Sequence, residues 1–178
     1  IAHRVIDNID SDDAADVLAE LTDEKQAEVI SHITDEEQRS DISDLLRYDE
    51  DTAGGIMAKE LVKVRRSWTI ARSIREMRKQ AEDIDDVYTI YVTDDEDKLV
   101  GTLSLKELLF SSSSIKTLIA DIYSEQSLHY VFPDTSGEDC SNTMEKYDLV
   151  VLPVVDHDMT LLGRITIDDV VDLIKEEA

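Results

Sequence analysis

Acidic side chains dominate the chemistry this sequence can offer. Asp12, Asp13 and Asp16 fall in one helical stretch, where Asp16 shares a face with each of the other two and repels them. A cation bound between that face and a second acidic surface relieves such repulsion, and Mg²⁺ or Ca²⁺ takes oxygen ligands of this kind. A second acidic series closes the chain: Asp169 and Asp172 stand three apart, with Glu176 and Glu177 continuing the same stretch. In all, 42 Asp and Glu face 18 Lys and Arg over 178 residues, a formal charge of −24. This balance argues against a nucleic-acid binder, which needs clustered cations for phosphates, and against docking on anionic lipid. A hydrophobic fraction of 42% separates the chain from a disordered acidic tail. Other chemistries lack their residues. Cys140 is alone, which excludes an internal disulfide and fits a reducing compartment. His3, His32, His129 and His157 are scattered, with no CxxC or HExxH, so zinc is not indicated. No nucleophile, base and orienting acid stand together, so catalysis has no support.

The elements that must position the acids show first as a repeat of period twelve. Ile6, Leu18, Ile30 and Ile42 form one series, and Ile9, Leu21, Ile33 and Leu45 a second. A third, Val5, Val17 and Val29, breaks at Asp41. Within a unit the apolar residues keep helical spacing, and Asp10, Thr22 and Thr34 are the cap candidates. Twelve residues are not a whole number of turns, so short helices broken by caps keep the apolar face aligned where one long helix would smear it. The expectation is a stacked helical array over 1 to about 47. The region 1–53 carries a net charge of −13, and the remaining 125 residues −11.

An internal duplication follows. A shift of 62 residues lays Leu99–Leu105 on Leu161–Ile167 and Val92-Thr93-Asp94 on Val154-Val155-Asp156. Each copy reads as a strand, a polar turn, a second strand begun near the Gly, then a helix opened by acids. A further helix precedes each strand pair, near 69–81 and near 138–147. Ser111–Ser114 separates the copies, Asp94–Asp97 reads as a hairpin turn, and Gly54-Gly55 marks a bend between modules, since no GxxxxGK follows it. The fold expected is α+β: an all-α superhelical array of short helices, then two βαββα modules. The boundaries are 1–53, 54–114 and 115–178.

The duplicated pattern resembles a tandem pair of CBS domains, regulatory modules that sense adenine nucleotides or metal ions. The resemblance is carried by Pro153–Asp156, Gly163 and Ile165-Thr166-Ile167-Asp168-Asp169. The segment Tyr48-Asp49-Glu50-Asp51-Thr52-Ala53-Gly54-Gly55-Ile56-Met57 is similar to the junction of the MgtE magnesium transporters, in which an acidic helical domain precedes a CBS pair. That likeness implies a Mg²⁺ sensor on the cytoplasmic face of the cell membrane, homodimeric through its CBS modules. The transmembrane domain that follows in the family is absent here. No apolar run approaches the ~20 residues of a spanning helix. The ends, Ile1 and Glu176-Glu177-Ala178, suggest an excised fragment.

By the same likeness, Asp12, Asp16, Asp148, Asp169, Asp172, Glu176 and Glu177 become candidate Mg²⁺ ligands. Glu138 is a further candidate, although Ser136 stands where the family more often has an acid. For Asp169, capping of the last helix is an equal alternative. Thr166 and Asp169 match the ribose-holding pair of nucleotide-binding CBS modules, which makes ATP the competing ligand; in the first copy Ser104 matches and Glu107 replaces the usual Asp. The basic residues Lys59, Lys63, Arg65, Arg66, Arg72, Arg75, Arg78 and Lys79 either pair with the acidic array of this or a partner chain, or meet phosphates. Two other readings stay open: an adenine-nucleotide sensor whose acidity is incidental, and a structural dimerisation platform.

Overall fold

Apolar residues interrupted at each twelfth position give helices α1 (Ser11–Ala19), α2 (Asp23–Ser31) and α3 (Glu36–Leu45). The computed structural model describes residues 9–81, 89–111, 113–125 and 128–177. The unit containing Val5 and Ile6, and Ser112 of the serine run, lie outside the described residues. Ala14, Leu18, Ile33 and Ile42 form the buried centre of the array, with Ile9, Leu21, Val29 and Ile30 packed around them. These are mainly the first two apolar series. Val17 of the third is 52% exposed, which explains how that series tolerates an Asp at position 41. One cap differs from expectation. Asp35, not Thr34, begins α3, its Oδ1 accepting from the N–H groups of Glu37 and Gln38 at 2.9 and 3.1 Å. A carboxylate is the better acceptor at a helix N-terminus.

The first copy folds as β1 (Val62–Arg65), α5 (Ile70–Gln80), β2 (Ile90–Thr93), β3 (Leu99–Leu103) and α6 (Leu105–Phe110), counting as α4 a short helix over Ala53–Ile56. Its sheet runs β1-β2-β3, parallel then antiparallel. The second copy has α7 (Gly137–Lys146), β4 (Val151–Val155), β5 (Leu161–Thr166) and α8 (Ile167–Glu177). Its opening strand is reduced, among the described residues, to one parallel bridge between Val131 and Val154. Pro133, with no N–H to donate, stands just after that bridge. The hairpin turns are duplicated atom for atom. Asp94 Oδ1 accepts from Glu96 and Lys98 N–H, and Asp156 Oδ1 from Asp158 and Thr160 N–H. Asp97 and Met159, equivalent under the shift, have φ of 65° and 66°. The equivalent residues Lys98 and Thr160 pair with each other, so a local twofold axis passes between them. Among the described residues no helix is long and apolar enough to cross a membrane.

The segments leading into the two copies are exchanged. Ala53 and Gly54 donate to the Thr135 and Pro133 carbonyls, and Ala58 pairs with Arg164 through two 2.8 Å bonds, all in the second copy. Reciprocally, Ile119 and Ala120 donate to Trp68 and Arg66, and Ser124 pairs with Thr102, all in the first. Ala53, Ile56 and Met57 accordingly join the core of Val154, Ile165, Val170 and Leu173, whereas Ile119 joins that of Val62, Ile90 and Leu108. Gly54 and Gly55 lie inside α4 against Tyr48 and the Asp49 carbonyl, so close packing rather than a free bend demands them. The equivalent strand glycines Gly101 and Gly163 have the same cause: a Cβ there would stand 2.6 Å from the carbonyls of Ser124 and Ala58, respectively. Gly→Ala within a strand ordinarily stabilises by up to about 1 kcal/mol. Gly163→Ala is expected to do the reverse, costing about 2 kcal/mol through forced backbone displacement, read as a lower urea midpoint.

Candidate metal centre

Helix α1 has two faces with different fates. Its Ala14 and Leu18 enter the helical core, while Ala15 joins the cluster of Val170 and Leu173 on α8. That second contact carries the acids of α1 to the start of α8. Asp12 is only 8% exposed, and its Oδ1 has no hydrogen-bond partner. Carboxylate oxygens of Asp10, Asp12 and Asp13 lie within 4.8 Å of one another. Burial, then Asp169 and Asp13, push the Asp12 carboxyl up to about 7. Asp16 rises to about 6, first through loss of water around its carboxyl and then through Asp13, Asp169, Glu176 and Glu50. Asp169 is raised as well, chiefly by burial, against the lowering effect of its bonds with Thr166.

Among the described residues the arrangement is a cleft rich in carboxylates, with Arg164 lowering Asp169 only in part. Desolvated like charges favour protonation or a bound cation. The only other buried side-chain oxygen without a partner among the described residues is Tyr91 Oη. Tyr91 sits among Leu99, Val155 and Leu161, and burial drives its phenol upward, so it stays neutral and asks for no ion. Asp12 differs in being an acid aimed among acids. The donor set is carboxylate oxygen throughout, which suits Mg²⁺ or Ca²⁺ and not a thiophilic metal.

The acids named from the sequence divide accordingly. Asp12, Asp16, Asp169 and Glu176 interact across the α1–α8 contact. Asp172 lies on the same stripe of α8, between Asp169 and Glu176 at helical spacing. Glu177 ends α8, and its side chain lies outside the described residues. Glu138, in the first turn of α7, and Asp148, two residues beyond that helix, are both exposed. They stand at opposite ends of α7. Asp148 has φ 53° where the N–H of Leu149 reaches back to the Met144 carbonyl, a helix-ending motif that favours Gly and that Asp tolerates better than most residues. Asp10 and Glu50 were missed, since nothing local distinguishes them from solvated acids.

Asp169 keeps both expected roles open at the level of its bonds. Thr166 Oγ1 donates to Asp169 Oδ2 at 2.9 Å, so the pair closes on itself at the head of α8. In the first copy Ser104 and Glu107 instead form a reciprocal capping box, the Ser104 N–H donating to Glu107 Oε2 and the Glu107 N–H to Ser104 Oγ. The basic residues do not meet the array as one helical face. Of them, Lys59 pairs there, its Nζ 2.8 Å from Asp44 and 3.7 Å from Asp41. Lys63 pairs with Asp97, Lys79 with Glu76, and Arg72 lies over Trp68. The reason is placement: Ala15 and Leu45 of the array join the second copy's core, whereas α5 packs on the first.

Comparison with known proteins now bears on these features. Residues 2–51 match the family model of the MgtE intracellular N domain, and residues 53–114 and 119–176 each match the CBS domain. Magnesium transporter MgtE of Thermus thermophilus is 40% identical over 138 residues, which is 78% of this chain and 30% of that protein. The chain thus spans about a third of the length of such relatives. The crystal structure of the soluble part of a magnesium transporter superposes with a TM-score of 0.88 at 34% identity, covering 99% of this chain and 67% of that one. The cytosolic domain of the Mg²⁺ channel MgtE in complex with ATP gives 0.87, also at 34%, covering 97% and 69%.

The raised acids fix a sign. A carboxyl whose folded value exceeds its unfolded one stabilises the fold once protonated, so metal-free stability falls as pH rises from about 4 through about 7. A cation displaces the same protons. Calorimetry in two buffers of different ionisation enthalpy is expected to find roughly half a proton released per Mg²⁺ at pH 7 and none at pH 9. Asp12→Asn abolishes the release.

Proposed function

This chain belongs to the MgtE family, as its intracellular N domain followed by a CBS pair, and on that premise we propose that it is the Mg²⁺-sensing regulatory region of a magnesium transporter, on the cytoplasmic face of the membrane. Mg²⁺ binds between the helical domain and the second CBS module, and its occupancy favours the closed pore of the transmembrane domain. One observation carries the reading: the buried, unpartnered Oδ1 of Asp12, set among Asp10, Asp13 and Asp169. With ions bound, carboxylate repulsion becomes attraction, and the helical domain is drawn onto the start of α8. Asp12, Asp13, Asp16 and Asp169 supply oxygens, while Asp172 and Glu176 extend the field along the helix that leads onward. Partly hydrated Mg²⁺ held by one or two carboxylates per ion suits a sensor of free-ion concentration.

ATP is a second ligand on this reading. The similar MgtE cytosolic domain was solved with ATP, and this chain repeats the hydroxyl–acid pair in both modules, Thr166 with Asp169 and Ser104 with Glu107. At Thr166 the acids of α1 oppose phosphates, so a bound cation and ATP act on the same end of α8. Homodimerisation runs through the CBS helices. Leu109 on α6 and Val171 on α8, equivalent under the shift, are 47% and 39% exposed, beside Phe110 at 77%.

Two measurements test these proposals. Millimolar Mg²⁺, but not Na⁺ at matched ionic strength, is expected to protect the Tyr48–Thr52 segment from limited proteolysis. Asp169→Asn with Asp172→Asn moves the midpoint roughly tenfold upward. Equal protection by Na⁺ sinks the sensor, and protection by ATP alone, lost in Thr166→Ala, gives the function to the nucleotide. Separately, Leu109→Asp with Val171→Asp is expected to turn a dimer into a monomer by light scattering, with the circular dichroism spectrum unchanged.

A further inference from the structure

The second CBS module carries a base where the first has a neutral residue. Under the 62-residue shift Arg164 falls on Thr102, each on the strand that leads into the hydroxyl–acid pair of its module. Strand β5 buries Leu161, Gly163 and Ile165 on one side, so Arg164 shares the other side with Thr166, roughly 7 Å along the strand. Thr166 in turn holds Asp169 through its 2.9 Å bond. Two further contacts keep Arg164 in place. Its N–H and carbonyl both pair with Ala58 at 2.8 Å, and its Nε donates to the Glu60 carbonyl at 3.0 Å. The side chain is half-buried and anchored at Nε, so its charge has little freedom to swing into solvent.

The surrounding charges are of the opposite sign. Glu60 turns its carbonyl to Arg164 and its carboxylate to Ser11, whose hydroxyl donates to Oε2 at 2.7 Å, one residue before Asp12. Among the described residues, the charges that act most strongly on Asp12, Asp16 and Asp169 are acidic with one exception, Arg164, which acts on Asp169. Arg164, the Glu60 carbonyl, Thr166 and Asp169 all lie outside α1–α3. Their arrangement belongs to the second module and its lead-in, and it needs no part of the helical domain. A divalent ion arriving at Asp169 therefore meets a positive charge already there, and the repulsion between them scales with the product of the two charges.

We propose that Arg164 sets the ion concentration at which the cleft fills: it is a fixed cation that competes with Mg²⁺ for Asp169 and moves the response to higher Mg²⁺. The proposal rests on the cation reading given above and adds to it the residue that fixes its working range.

Calorimetric titration of the whole chain with Mg²⁺, alongside protection of Tyr48–Thr52 from proteolysis, tests this. Arg164→Thr, which copies the first module, is expected to lower the Mg²⁺ half-saturation about tenfold, the scale for relieving a double charge of a single one at that distance in near-aqueous screening. Arg164→Gln, which keeps an N–H donor for the Glu60 carbonyl without the charge, shifts it the same way. Arg164→Lys, which keeps the charge, stays within about twofold of wild type, and ~0.5 M KCl narrows the gap between all of them. Circular dichroism in saturating Mg²⁺ checks the fold of each variant. A wild type that responds to Mg²⁺ while Arg164→Thr and Arg164→Gln leave the half-saturation unchanged or raise it overturns the role of Arg164 and leaves the cation reading standing. So does an Arg164→Lys protein displaced as far as Arg164→Gln, because shape and not charge is then at work. A wild type with no Mg²⁺ response overturns the cation reading and this proposal with it.

Discussion

Carboxylates that repel one another are held face to face where α1 meets α8, and the energy of that repulsion must be met by the rest of the fold. Apolar contacts meet part of it: Ala15 with Val170 and Leu173 on one side of α1, Ala14 and Leu18 with Ile33 and Ile42 on the other. Burial of the Asp12 side chain is a product of this double packing, since a helix gripped on two faces has little freedom to turn one acid to solvent. The remainder of the cost is left as proton affinity, with Asp12 and Asp16 poised near neutrality. Whatever neutralises that cleft stabilises the docked arrangement, and ion binding and domain position become one equilibrium.

Direct bonds and charge neutralisation act there on different scales. The bonds of Lys59 to Asp44 and of Glu60 to Ser11 are short-ranged and depend on angle, so they specify where the docked helical domain rests. The carboxylate field is longer-ranged and graded, so it specifies how firmly.

Much of this was legible in the chain, for physical reasons that also mark where reading stopped. The period-twelve helices were visible because each buries residues at a fixed local spacing, and Val17 departs from it because its own side chain faces water. The duplicated hairpins were visible because Asp94 and Asp156 fold their own turns through local bonds. The acids of α1 were recognised as needing a counter-surface, and Asp169 was named, but no local signal said that the two would meet. Glu60 stands among basic residues with nothing local to mark it; its side-chain bonds run to Ser11, 49 positions away. The exchange of lead-in segments was least visible of all. Its bonds run between backbone atoms, which any sequence supplies, and only Gly101 and Gly163 record the closeness of approach.

That exchange bears on how such a pair arises and persists. Neither copy closes its own core: Ile119 completes the first and Met57 the second. A solitary copy would have to borrow the missing strip from another molecule, at a cost in concentration-dependent association. Fusing two copies in tandem makes the loan internal and raises the effective concentration of the strip to that set by a short tether. The two halves then have to be inherited, folded and degraded together, and damage in one half surfaces as instability in its neighbour.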